Sequence, residues 1–178
     1  MSESDAARLV VIRHAKAQSA ASSDRARELT HRGERDARAA GEWLAAAGLS
    51  PDVLLVSSAG RARQTAEVVV AALKSAPKVV LSDPLYDADA VEVLGICAEV
   101  VDADVGCAAV VGHNPTMVEV AMLLQGSAAE PVQLRPGALA VFELDQPWER
   151  MGRAALDSWT ASRRAETNGV VRMDPSLR

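Results

Sequence analysis

Short apolar runs with no polar alternation recur along the chain, separated by longer stretches whose apolar positions fall at helical spacing. Leu9-Val10-Val11-Ile12 is apolar on both parities and β-branched, the pattern of a strand covered on both faces of a parallel sheet. Val53-Leu54-Leu55-Val56, Lys78-Val79-Val80-Leu81 and Ala108-Ala109-Val110-Val111 read the same way, and a last strand is expected from Ala138 to Leu144. After the first strand, Ala37, Ala40, Trp43, Leu44 and Ala47 share one helical face. Thr30 offers an N-cap, Gly48 a stop and Pro51 a break, so a helix is predicted over 30–49. Further helices are expected from about Arg61 to Lys74, from Ala88 to Val101 and from Pro115 to Leu124. The last begins with a proline in its first turn, where a missing N–H costs little.

Strands alternating with helices of ten or more residues imply right-handed crossovers, and hence a three-layer α/β/α sandwich around a mostly parallel sheet. A length of 178 residues suits one domain, 1–178, with its core at about 8–145. The rhythm is lost in the extension 146–178, where the charged segment from Arg163 to Arg178 is expected to be a partly ordered tail. Aromatics are only 3 % of residues against 49 % apolar, so the core must be built from Ala, Val and Leu.

A net charge of −5 argues against a nucleic-acid partner, which a basic surface would serve. The acidic start Met1-Ser2-Glu3-Ser4-Asp5 is unlike a signal peptide, and no apolar run approaches the roughly 18 residues of a membrane span. A soluble, cytoplasmic protein without a membrane partner is the expectation. Cys97 and Cys107 are expected to be reduced and structural.

Polar clusters stand where three of the strands end: Arg13-His14, Ser57-Ser58 with Arg61, and Gly112-His113-Asn114. In open α/β sheets the carboxyl ends of the strands form the ligand crevice, so these groups are expected to converge. Two guanidiniums match phosphate oxygens with forked, permanent charge, and following helix N-termini add N–H donors. Two imidazoles beside such an anion add a nucleophile and a proton carrier. The crevice is therefore expected to process a phosphorylated substrate.

Four blocks carry a family resemblance: Arg13-His14-Ala15-Lys16, Leu29-Thr30-x-x-Gly33, Ser57-x-x-x-Arg61-Ala62-x-Gln64-Thr65 and Val111-Gly112-His113-Asn114-Pro115. In order and spacing they resemble the histidine phosphatase superfamily, with its phosphoglycerate mutase-like fold, and most closely the short SixA-type phosphohistidine phosphatases. The resemblance implies that His14 attacks phosphorus and becomes phosphorylated, with His113 the second catalytic histidine and Arg13 and Arg61 binding the transferring group. It implies no cofactor and no metal: charge and positioning stabilise the loose transition state without magnesium. His14 must be unprotonated to attack, which its arginine neighbours favour, so activity is expected to fall at acid pH.

The match thins at the proton donor. No acid follows His113, which leaves Asp87, Asp89 and Glu92 as loop candidates, each also readable as a solvated or capping residue. A missing acid tilts the substrate towards a phosphoramidate such as protein phosphohistidine, whose nitrogen leaving group needs little protonation. Arg27 matches a position where SixA-type sequences often carry Arg and either contacts substrate or braces its loop.

Blander readings compete for several residues. Of Arg61 and Arg63 only one can face the crevice, and the family spacing selects Arg61. Ser57 fits local hydrogen bonding, His31 a solvated side chain, and Trp43, Trp148 and Trp159 packing. A metal site fits poorly, because the histidines lack short ligand spacing and arginines would repel a cation. The alternatives for function are a broad phosphomonoesterase on small metabolites and a non-catalytic phosphate-binding or interaction module. The sequence leaves the oligomeric state open.

Overall fold

The computed structural model describes residues 6–125, 132–144, 146–151 and 171–173. Trp159 and most of the Arg163–Arg178 segment lie outside the described residues. The elements run β1 (Arg8–Arg13), α1 (His31–Ala46), β2 (Val53–Ser57), α2 (Gly60–Ala72), β3 (Lys78–Ser82), a 3-10 turn (Pro84–Tyr86) and α3 (Ala90–Val100). They continue with β4 (Cys107–Gly112), α4 (Thr116–Gln125), β5 (Leu139–Glu143), a second 3-10 turn (Trp148–Arg150) and β6 (Val171–Met173).

One six-stranded sheet has the order β3-β2-β4-β1-β5-β6. β1, β2, β3 and β4 are parallel, β5 runs antiparallel to them, and β6, antiparallel to β5, returns to their direction. The expected α/β/α sandwich on a mostly parallel sheet is what forms, and the extension supplies β6 to one edge. The four central strands β2, β4, β1 and β5 are almost wholly buried, which is why they read as unbroken apolar runs. β3 is an edge strand, and there Val79 and Leu81 are exposed.

Strand parity sorts the core into two layers. Val10, Ile12, Leu54, Val56, Ala109 and Val111 pack under α1 and α2 through Ala37, Ala40, Leu44, Ala62, Ala66 and Val69. The opposite parity, Leu9, Val11, Leu55, Ala108 and Val110, packs against Val93, Leu94 and Cys97 of α3 and Met117, Val120 and Ala121 of α4. Trp148 is buried in that second layer and donates its indole N–H to Val105 O at 2.7 Å. Within the first layer a small residue lets α1 and α2 approach closely: a Cβ on Gly41 of α1 would stand 2.6 Å from Val69 O of α2.

Helix ends follow their capping chemistry. Thr30 caps α1, its hydroxyl accepting from Gly33 N. α1 ends three residues before Leu49 because Gly48, at φ +71°, turns the chain back: Leu49 N–H bonds Leu44 O and Gly48 N–H bonds Ala45 O. α3 starts at Ala90 rather than Ala88 because Asp89 and Glu92 form a reciprocal capping box. Cys97 and Cys107 are buried free thiols, with pKa values pushed up by burial to about 12 and about 11. No helix among the described residues is long and apolar enough to cross a membrane.

Candidate active site

β1, β2 and β4 are parallel and adjacent, so their carboxyl ends open on one edge of the sheet. Arg13 and Gly112 are paired in register, which places His14 and His113 one residue beyond the same rung. Neighbouring strands lie about 4.8 Å apart, and the two imidazole centroids are accordingly 5.2 Å apart, tilted by 55°. Ser57, at the end of β2 on the other side of β4, shares a 2.7 Å hydrogen bond with His113 Nε2.

The tautomer of His14 follows from its partners. Nδ1 stands 2.8 Å from Ala15 O, which can only accept, so Nδ1 carries the proton. Arg61 Nε, which can only donate, stands 3.3 Å from Nε2. The ring is therefore neutral, with its Nε2 lone pair turned towards the guanidinium. Thr65, one turn along α2, is fully buried and ties both residues down: its hydroxyl donates to Arg61 O at 2.6 Å and accepts from Ala15 N at 3.0 Å. Gln64 Oε1 accepts from Leu29 N at 2.7 Å, and Lys16 O accepts from Thr30 N and Oγ1. The spaced blocks of the sequence are thus stitched to one another around the site.

Arg61 is 6 % exposed and the more distant Arg63 is exposed, as the spacing argument expected. Beyond His14, its guanidinium grips one residue: Nη1 donates to Asp24 O at 2.7 Å and Nη2 to Asp24 Oδ2 at 2.9 Å. The same Oδ2 accepts from the Tyr86 hydroxyl at 2.6 Å, and Oδ1 accepts from Arg27 Nη1 at 3.0 Å. Tyr86 in turn sets its ring edge-on to His113, centroids 5.4 Å apart, and carries the Arg25 guanidinium 4.2 Å above it. Arg13 donates to Leu134 O at 2.9 Å, as does Asn114 Nδ2 at 3.1 Å. Among the described residues, Arg13 Nε and His113 Nδ1 are buried without a hydrogen-bond partner.

Burial holds both histidines neutral. It lowers His14 from 6.5 to about 4, helped by His113, Arg61 and Arg13 and opposed by the hydrogen bond to Ala15. His113 is likewise lowered to about 4, by burial first and Arg61 second, with Asp24 opposing. Desolvation thus outweighs the arginines that sequence reasoning credited. Asp24 lies well below the usual carboxylate range, because Tyr86, Arg27 and Arg61 all hydrogen-bond its ionised form.

Arg13, His14, Arg61 and His113 therefore meet at one edge. Arg27 braces its loop, donating to Gln18 O at 2.7 Å as well as to Asp24. Asp89 and Glu92 are engaged in capping α3, and Asp87 is exposed. Ser57 does more than fix its loop, since it partners the second histidine. His31 is exposed beside Glu34. Among the described residues no cluster of three or more His, Cys, Asp or Glu could hold a metal. Sequence reasoning missed Asp24 and Tyr86. The only signal for either was position: the single tyrosine follows β3, and Asp24 precedes two arginines in the loop before α1.

A parallel sheet with two histidines and two arginines at its carboxyl edge defines a phosphoryl-handling enzyme of the histidine phosphatase kind. Residues 9–130 match the sequence model of the Histidine phosphatase superfamily (branch 1), and the chain belongs to that superfamily and is a phosphatase. Among solved structures it is similar to the proposed phosphohistidine phosphatase SixA from Nakamurella multipartitia, at 33 % identity and TM-score 0.72, covering 83 % of this chain and 90 % of that one. It is also similar to the proposed SixA from Agrobacterium tumefaciens, at 31 % identity and TM-score 0.70, covering 78 % and 92 %. A protein histidine phosphatase SixA complexed with tungstate is 25 % identical at TM-score 0.70, covering 78 % and 88 %. No curated protein matches the chain.

Proposed function

We propose that this single-domain, cytoplasmic protein is a metal-independent phosphohistidine phosphatase. In this reading the His14 Nε2 lone pair forms a bond to phosphorus while the bond to the leaving nitrogen breaks, and the leaving group departs with that electron pair. The Nδ1–H to Ala15 O supports the positive charge the ring acquires. Water then attacks the phosphorylated His14, releasing inorganic phosphate and restoring the free imidazole. Arg13, Arg61 and His113 hold the phosphoryl oxygens, whose spread charge in the transition state they stabilise. The buried, unpartnered Arg13 Nε and His113 Nδ1 fit that task, since such groups ordinarily find a polar partner.

The observation that carries the reading is the fixed Nε2 lone pair of a neutral His14, aimed at a guanidinium. The phosphoramidate preference rests on the carboxylates. Asp89 and Glu92 are engaged in a helix cap, and Asp24 is held ionised, so none stands ready to protonate an alkoxide. The tungstate-bound SixA, named a protein histidine phosphatase, is a relative with that activity in its name.

The test compares turnover of a phosphohistidine-bearing protein and of an aryl phosphate by the wild type and by His14→Ala, with a chelator present. Preferred turnover of phosphohistidine, lost in His14→Ala and indifferent to the chelator, is expected. Activity on the ester alone would move the substrate to small metabolites. Binding of vanadate with no turnover of either compound would leave a non-catalytic module.

A further inference from the structure

We infer that Asp24 is a positioning residue for Arg61, holding its guanidinium against the nucleophile; the inference rests on the reading of Arg61 as a phosphoryl ligand. Arg61 has five N–H donors. Nε is directed at His14 Nε2, and one hydrogen on each of Nη1 and Nη2 goes to the carbonyl and carboxylate of Asp24. Two hydrogens remain for a phosphoryl group, one on each Nη. The hydrogen bond to His14 Nε2 masks the attacking lone pair, so it must pass to a phosphoryl oxygen before attack. A small rocking of the guanidinium achieves that only if its far end stays hinged, and Asp24 is the residue at that end.

The hinge is itself anchored by two further residues, Tyr86 and Arg27. Tyr86 and Arg61 share Oδ2, and Arg27, fixed by Gln18 O, takes Oδ1. Tyr86 lies edge-on to His113, so one carboxylate links the loop before α1, the turn after β3, and both histidine-bearing strands. A carboxylate near an anion site opposes phosphate binding by charge. A proton-donor role does not suit it, since three donors hold it ionised.

The experiment is steady-state kinetics on the substrate turned over by the wild type, with inorganic phosphate as competitive inhibitor. Asp24→Asn, Arg61→Lys and the double variant are compared, each checked for an unchanged melting transition. Losing a charge-assisted anchor that is half open to solvent is expected to lower kcat about tenfold. The inhibition constant for phosphate should stay level or fall, because a repelling charge is gone. In the Arg61→Lys background, where no fork remains to be hinged, the same substitution should change kcat less than about twofold. Tyr86→Phe, which removes one donor from the same carboxylate, should give a smaller loss of the same kind.

An Asp24→Asn kcat within twofold of wild type overturns the inference. So does an equal loss in the Arg61→Lys background, or a phosphate constant that rises in step with the loss, the mark of a loosened loop. If Arg61→Lys itself leaves kcat and phosphate inhibition untouched, the reading of Arg61 fails and the inference falls with it. That result is distinguishable, because it needs no substitution at Asp24.

Discussion

Acid should destabilise this fold through its two site histidines, in a pH window set by their burial. Each has a folded-state pKa of about 4 against an ordinary 6.5. Between those values the unfolded chain binds protons that the folded chain refuses, so stability is full above about pH 7, falls as pH drops from 6.5 towards 4, and then levels for these groups. A fall from 6.5 to about 4 caps the cost at about 3 kcal/mol per ring. Both rings still reach solvent, so about 1–2 kcal/mol each, or about 2–4 for the pair, is the figure to test. Asp24, lowered rather than raised, loses its contribution only below the ordinary carboxylate range and stays out of this window. Urea unfolding followed by circular dichroism from pH 7.5 to 4.5 should show the loss in the wild type and most of it gone in a His14→Asn/His113→Asn variant. Equal pH dependence in the two proteins would refute the burial argument. The same displacement moves the acid limb of kcat/KM that reports His14 in the free enzyme down from the ordinary histidine range towards pH 4.

Three substitutions test the scaffold. Thr65→Val strips the hydroxyl that ties Ala15 N to Arg61 O; a stability loss of about 1–3 kcal/mol with lowered kcat is expected from chemical denaturation and steady-state assays. Gly33→Ala would drive a Cβ into the Lys16 carbonyl, two residues from His14, and should cost about 1–3 kcal/mol, a drop of roughly 2–12 °C in melting temperature. Asp89→Ala removes half of the α3 capping box and should cost about 1 kcal/mol while kcat stays at the wild-type value; a large fall in kcat would make Asp89 the proton donor instead.

The sheet was legible because burial on both faces leaves a strand no reason to alternate, and β1, β2 and β4 show that plainly. The helix starts at Thr30 and Asp89 are written in side chains that bond backbone N–H groups within three residues. Arg13, His14, Arg61 and His113 were legible by their place after strands and by family spacing. What escaped was chemistry set by loop geometry. Nothing local to Asp24 distinguishes it from a solvated carboxylate; only the folded path of 18–28 brings it to Arg61. Tyr86 likewise owes its contact with His113 to a 3-10 turn too short to announce itself by periodicity. The neutrality of His14 was foreseen from its arginine neighbours, which do contribute, but the larger cause, burial, is a property of the assembled layers.

The pairing of Arg13 with Gly112 has a consequence for how the site tolerates change. The spacing of the two imidazoles is fixed by the backbone ladder, so drift in the sequence of the outer helices can accumulate without separating them. Arg61 stands outside that ladder and is tied to it through the Thr65 hydroxyl. It rides on α2, whose distance from α1 is set by the bare Cα of Gly41 against Val69, so a bulkier residue there would lift the guanidinium away from a histidine pair left in place. The nucleophile thus answers to the sheet and the Arg61 arm of the charge clamp to helix packing, with the Thr65 hydroxyl joining the two.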